Sequence, residues 1–309
     1  MIRSSNWTRS PGLFVVSIAA APILSQEIDP DVQWTVENLG PSINSPFSER
    51  FPAISNDGLS LYFASNRPGS EPLNTQSWDI YVAQRDDTDE PFVDTINIGD
   101  PVNSAFSEYG ASLSPDGLTM IFSSDRPGGC GAHDLYISQR TDASDHTSWS
   151  EPVHIGCDVN SEFDEASPFV TGDFESNLAL LYFTRNDEPG ATEHDFYVTQ
   201  FVIDALEFEP PLPLNELNTP DHDGYFDPSH GLIWSMREGG YGGSDIWLTS
   251  WIEEFFGWQQ PQNIGASINT EFDEEQPSVS DDGALYFPSN RPGGHGAEDI
   301  YVAVRSDRE

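Results

Sequence analysis

The sequence predicts an all-β chain folded as a five-bladed β-propeller of four-stranded blades. Three observations predict it: five tandem copies of one phrase, the turn chemistry inside each copy, and a strand missing at the C-terminal end that reappears at the N-terminal end. The 309 residues include Gly 25 and Pro 24, a turn-rich composition suited to many short strands. They also include 8 Trp, 10 Tyr and 19 Phe, enough to fill a core and argue against disorder despite a formal charge of −40.

The N-terminus stands outside the repeats. In residues 1–25, Arg3 and Arg9 precede an apolar run from Leu13 to Leu24. The run is shorter than the roughly 20 residues of a transmembrane helix. The segment reads as a secretory signal peptide, with an uncleaved anchor as the alternative. Its removal leaves ten Arg against 52 acids.

The repeats follow. Phe51-Pro-Ala-Ile-Ser-Asn-Asp-Gly58, Gly110-Ala-Ser-Leu-Ser-Pro-Asp-Gly117 and Gln276-Pro-Ser-Val-Ser-Asp-Asp-Gly283 align, and each leads into an Arg-Pro-Gly phrase. Two degenerate copies lie between, around Leu181-Tyr-Phe-Thr-Arg185 and Leu232-Ile-Trp-Ser-Met-Arg237. An Arg column results: Arg67, Arg126, Arg185, Arg237 and Arg291, at spacings of 59, 59, 52 and 54. An acidic column precedes it (Glu49, Glu108, Glu165, Asp223, Glu274). An Asp column follows it (Asp79, Asp134, Asp195, Asp245, Asp299).

Each copy contains four strands. Strand a carries the Pro-Ala-Ile-Ser type segment, and a tight Asp-Gly turn leads to strand b, since both residues tolerate positive φ. Strand b alternates, as in Leu59-Ser-Leu-Tyr-Phe-Ala-Ser65, and the Arg-Pro-Gly-Gly phrase links it to strand c, Asp-Ile-Tyr-Val-Ala. Strand d ends in Ile98-Gly-Asp-Pro-Val-Asn103 and its equivalents at Ile155 and Ile264. The last copy stops at strand c. Its strand d is supplied by Trp34-Thr-Val-Glu-Asn38, so the segment 32–44 completes the last blade. One propeller is expected over residues 31–309, with no unpaired edge.

These phrases (Ser114-Pro-Asp-Gly117, Phe122-Ser-Ser-Asp-Arg-Pro-Gly-Gly129, Asp134-Leu-Tyr136) resemble the WD40-like β-propeller repeat of TolB-type periplasmic proteins. The match is close in repeats one, two and five and departs at Asp187-Glu-Pro-Gly190 and Glu238-Gly-Gly240. The resemblance implies a secreted or periplasmic propeller serving as a platform for protein interaction.

In an antiparallel blade the d–a and b–c connections share one face, so the three charged columns meet there. The structural reading is that each Arg, a planar five-donor fork, ties the carboxylates of its own blade together. The binding reading is a ring of Glu49, Glu108, Glu165, Asp223 and Glu274 at the channel mouth, holding a cation or a cationic group. A ligand site is also expected where the repeat breaks, around His222, Tyr225, Tyr241 and Trp251. Cys130 and Cys157 lie in connections on this same face, and a disulfide between them is one expectation, two free thiols the other.

All 12 basic residues are Arg, and the acidic surplus rules out nucleic-acid or anionic-membrane binding. A one-signed surface keeps the chain soluble and fits a salty medium that screens the repulsion. No cofactor or metal is expected. Calcium is the rival account of the acids, but Asp142-Ala-Ser-Asp145 and Asp221-His-Asp-Gly224 lack calcium-loop spacing. His133, His194 and His295 fall in b–c loops of different blades, which speaks against one shared metal site. No His-Glu-x-x-His, Gly-x-Ser-x-Gly or phosphate-loop motif occurs.

The expected function is therefore a monomeric, secreted or periplasmic, non-catalytic binding or scaffold propeller, acting through its loop face and central channel. Its expected partner is an envelope or extracellular protein, or a glycan, with no nucleic acid and no membrane insertion after signal cleavage. The alternative is a glycan-active propeller, either a lectin or a glycoside hydrolase.

Overall fold

The computed structural model describes residues 33–68, 77–174, 176–186, 193–252 and 257–306, so the expected signal peptide lies outside the described residues. Within them the chain forms five antiparallel sheets arranged as blades around an axis. The first blade contains Glu49–Ile54, Ser60–Ser65, Asp79–Gln84 and Val93–Asn97, and the second Glu108–Leu113, Thr119–Ser124, Asp134–Gln139 and Val153–His154. In the third, Glu165–Asp173, Leu178–Arg185 and Asp195–Val202 are followed by an outer strand split into Glu207–Phe208 and Leu212–Pro213. The fourth has Asp223–Asp227, Leu232–Ser235, Asp245–Leu248 and Gln262–Asn263, with a separate hairpin of Trp251–Ile252 and Gly257–Trp258.

The fifth blade joins both ends of the chain. Ser278–Val279, Leu285–Ser289 and Asp299–Arg305 are completed by Trp34–Asn38, paired from Trp34↔Arg305 to Asn38↔Tyr301. The Asn44 side chain clamps the same seam: Oδ1 accepts from Ile300 N and Nδ2 donates to Ile300 O. Asn103, Asn160, Asn218 and Asn269 clamp strand c of the other blades in the same way, which explains the recurring Asn.

The middle strands are buried on both faces, as in Leu61-Tyr62-Phe63-Ala64, where the sequence suggested alternation. The reason is that neighbouring blades cover each side. Leu61 and Phe63 join a cluster with Tyr286 of the fifth blade, while Tyr62 joins one with Met120 and Phe122 of the second. Five such clusters fill the five blade junctions. At the expected turns, Gly58 and Gly117 have φ of 73° and 67°, and Asp57 and Asp116 accept from the backbone N–H two residues on.

Each blade is pinned by its acidic residue. Glu108 is 0% exposed and accepts from Ser104 N, Ser104 Oγ, Ser124 Oγ and Arg126 Nη2, the last at 3.0 Å. The same arrangement recurs as Arg67–Glu49 at 2.9 Å, Arg185–Glu165 at 2.8 Å, Arg237–Asp223 at 2.8 Å and Arg291–Glu274 at 3.0 Å. The remaining reach of each guanidinium goes to a carbonyl of the d–a connection (Ile43, Val102, Val159, Leu217 or Ile268). Each also sits over an aromatic ring of its own blade, as Arg126 does over Tyr136 with its Cζ 5.0 Å from the ring centroid.

The Arg does not bridge the two acidic columns as the sequence suggested. Asp134, Asp245 and Asp299 instead accept backbone N–H groups of the b–c loop. The glycine phrase makes room for this: a Cβ on Gly129 would lie 1.8 Å from Asp134 Oδ2. Next to it, Cys130 and Cys157 form a disulfide with Cα atoms 5.8 Å apart.

Two stability outcomes follow from this geometry. Removing residues up to 44 strips the outer strand and the Asn44 clamp from the fifth blade; the truncated protein should aggregate or lose cooperative unfolding, and an unchanged melting curve would contradict the closure. Arg126→Met leaves Glu108 buried without its cation, a loss of about 3–5 kcal/mol. Urea unfolding measures it, and a change near zero would mean that the pin contributes no net stability.

Candidate functional site at the channel mouth

The pins leave three neighbouring positions in each blade free of that task. The residue after the acidic column is Arg50, Tyr109, Ala166, Gly224 or Glu275; the residue before it is Ser48, Ser107, Asp164, His222 or Asp273; the residue before the Asp column is Trp78, His133, His194, Ser244 or Glu298. Backbone bonds between blades bring the last two sets together, since the N–H groups of Glu49, Glu108, Glu165, Asp223 and Glu274 donate to the carbonyls of Glu298, Trp78, His133, His194 and Ser244. The result is a ring of inter-blade pairs around the axis.

Most of these residues line one cavity of about 450 Å³: Arg50, Tyr109, Ala166 and Gly224 of the first set, Ser107, Asp164 and His222 of the second, Trp78, His133 and His194 of the third, together with Trp234. Its floor is formed by Phe51, Ser167 and Gln276, which also line a second cavity of about 550 Å³ on the far side of the axis. These three carry φ values of 53°, 50° and 26°, where ordinary side chains are strained; Phe51 and Ser167 sit at the bulge of strand a, and Gln276 just before strand a of the fifth blade. These conformations turn their side chains into the channel and divide it.

The ionisable groups of the mouth are matched in pairs. His133 Nδ1 lies 2.9 Å from Asp164 Oδ1. Burial works against the charged imidazole, yet the Asp164 hydrogen bond and charge outweigh it and raise the His133 pKa. The same hydrogen bond, opposed by burial, lowers that of Asp164. Arg50 donates through Nε and Nη2 to the Glu298 carboxylate across the ring-closing junction. Arg50 Nη1 lies 3.7 Å from Glu275, whose burial, with Glu298 and Asp273 nearby, pushes its carboxyl up to about 7 against the pull of Arg50. His194 and His222 face each other with Nδ1 atoms 3.3 Å apart, and the His222 ring meets Trp234 edge-on at 5.1 Å. Trp234 packs against the backbone at position 224 because that residue is glycine: a Cβ there would fall 1.8 Å from its ring.

The residues singled out from sequence divide clearly. Glu49, Glu108, Glu165, Asp223 and Glu274 are 0% exposed and saturated by the pins. His222 lines the mouth cavity and Tyr225 the second cavity. Tyr241 occupies the b–c loop of the fourth blade, 55% exposed, and Trp251 pairs with Trp258 in the outer hairpin, both outside these two cavities. His133 and His194 share one cavity, against the expectation that blade separation would keep them apart, because they immediately precede strand c near the axis. His295 lies four residues before Asp299 and joins neither cavity. Arg50, Trp78, Tyr109, Asp164, Trp234, Glu275 and Gln276 were not identified as a site from sequence. The available signal was adjacency: all but Trp234 sit within two positions of a recurring column.

Among the described residues, one cluster has metal-ligand geometry, Cys130, Asp134 and His154. Its sulfur is committed to the disulfide, and His154 occupies the strand-d position where Asn97 binds the Asp of the first blade.

No family model matches this chain, and no curated protein is matched to it. Solved structures are similar. The catalytic domain of a GH62 α-L-arabinofuranosidase from Coprinopsis cinerea aligns with a TM-score of 0.58 at 10% identity, over 89% of this chain and 98% of that one. An α-L-arabinofuranosidase from Podospora anserina, in complex with cellotriose, aligns with a TM-score of 0.55 at 11% identity over 89% and 97%. A thermostable family-43 glycoside hydrolase aligns with a TM-score of 0.55 at 12% identity over 85% and 91%. At such identities the likeness establishes the fold, a five-bladed propeller. It also corrects the expectation of a non-catalytic binding or scaffold propeller. The three propellers named are glycoside hydrolases, and that is the finding against this expectation.

Proposed function

We propose that the chain is a glycan-active propeller that holds a glycosidic bond at the channel mouth and hydrolyses it. The observation that carries this is the lining of the mouth cavity: the aromatic rings of Trp78, Tyr109 and Trp234 beside the polar groups of Arg50, Asp164 and three His. Aromatic faces bury the C–H surface of a sugar, while a few convergent polar groups fix its hydroxyls. The likeness to glycoside hydrolase propellers supports the same reading.

Hydrolysis of a glycosidic bond uses two carboxyl groups in different protonation states. Asp164, held low by His133, takes the carboxylate role. Glu275, raised to about 7, takes the proton-donor role. Glu275 is not itself in the lining but lies 3.7 Å from Arg50, which is, and occupies the repeat position whose other occupants, Arg50, Tyr109, Ala166 and Gly224, all line the cavity. Export fits the same reading, because polymeric glycans are met outside the cytoplasm, where the Cys130–Cys157 disulfide persists.

A glycan array followed by a panel of nitrophenyl glycosides tests the proposal. Asp164→Asn and Glu275→Gln should each lower the rate of the hydrolysed substrate by about 100-fold or more. Because the donor must carry its proton, the rate should fall as pH rises through about 7. Absence of any bound or hydrolysed glycan would overturn the proposal, and full activity in both variants would overturn the assignment of the two carboxyls.

The Glu275 proton is also readable without substrate. Its folded-state pKa lies above the ordinary glutamate value of 4.5, so its contribution to stability is complete below that value and lost as pH rises to about 7. The loss amounts to about 3 kcal/mol. His133 and His230, also raised, act in the same direction. Urea unfolding at either end of this window should show the wild type losing more stability than Glu275→Gln. Equal losses would place the Glu275 pKa near its ordinary value.

A further inference from the structure

Two residues that line the mouth cavity each carry a buried polar atom with no hydrogen-bond partner: Trp234 Nε1, a donor, and Gln276 Oε1, an acceptor. Both residues are more than nine-tenths buried, at 8% and 2% exposure. Neither is free to turn away. The Trp234 ring lies in the space that any side chain at position 224 would fill, with His222 against its face. The Gln276 amide is oriented by its Nε2, which donates to Glu275 Oε2 at 3.2 Å, leaving Oε1 as the open acceptor. An unsatisfied buried donor or acceptor carries a desolvation penalty that a ligand partner removes.

A hydroxyl can relieve either, because it accepts from an N–H and donates through its own O–H. The charges of the wall favour a neutral ligand: Arg50 already has Glu298, and His133 already has Asp164. The floor at Phe51, Ser167 and Gln276 narrows the channel, so a glycan presents one end to the pair rather than threading through. We infer that Trp234 Nε1 and Gln276 Oε1 form a donor–acceptor pair that reads the hydroxyls of a neutral terminal sugar ring and sets its orientation at the channel mouth. This rests on the glycan-active reading and names the part of the glycan that the site selects.

The test follows the indole N–H resonances of ¹⁵N-labelled protein, with that of Trp234 assigned by its loss in Trp234→Phe. The probes are the methyl glycosides of arabinose, xylose, glucose and glucuronic acid, and glycerol as a simple polyol. A neutral glycoside should shift the Trp234 resonance. Trp234→Phe and Gln276→Leu, with melting temperatures checked against wild type, should each weaken its binding about tenfold. If a sugar binds while the Trp234 resonance stays still and both variants bind within about twofold of wild type, the inference falls and the glycan reading stands. If glycerol shifts the resonance but no glycoside binds, the hydroxyl-reading pair stands and the glycan reading falls. If no probe binds, both fall, and preference for the glucuronide overturns the neutral ligand.

Discussion

A buried carboxylate held by a serine or threonine, a second hydroxyl in four of the five blades, and one arginine organises this protein. Burying Glu108 alone would be prohibitive; four hydrogen bonds, one of them from a charged donor, compensate for the lost water. The Arg that closes the cage also reaches a carbonyl of the preceding connection and covers the rings beneath it. One interaction thus fixes the start of the inner strand, the end of the second and the loop from the blade before. Repeated in each blade, it fixes the ring without help from the residues that face the axis.

That division of labour leaves the mouth free to vary. The position after the acid is Arg, Tyr, Ala, Gly and Glu in the five blades, so five chemistries project from one well-held backbone level. The chain carries its acidic surplus on the outside, but the mouth is balanced, its Arg50 and His133 each set against a carboxylate. Small residues matter there as much as large ones: without Gly224, Trp234 could not take its place in the cavity wall.

The blades were legible in the sequence because they recur. The acidic, Arg and Asp columns, the Asp-Gly turns and the displaced Trp34–Asn38 strand each repeat a local demand of the backbone, and repetition separates such demands from chance. The split outer strand of the third blade had no such signal, and the alternation expected in Leu59–Ser65 is lost because neighbouring blades bury both faces. The site was hidden for the converse reason. Arg50, Tyr109 and Glu275 share a position but not a residue type, so alignment of the repeats passes over them. Irregular loops drew attention to Tyr241 and Trp251, which the fold carries to the rim, while the second strand of the fourth blade delivers Trp234, and the strained segment before Ser278–Val279 delivers Gln276, to the mouth.

A scaffold pinned blade by blade presents one cavity at the axial mouth, the proposed glycan site. A crystal structure of the protein with a glycan selected from the array is the decisive measurement. The expected result is a terminal sugar ring above the floor of Phe51, Ser167 and Gln276, against Trp78 and Trp234, with the pins unchanged. A sugar bound in the second cavity, or on the outer rim near Tyr241 and Trp251, with the mouth left to solvent, would contradict it.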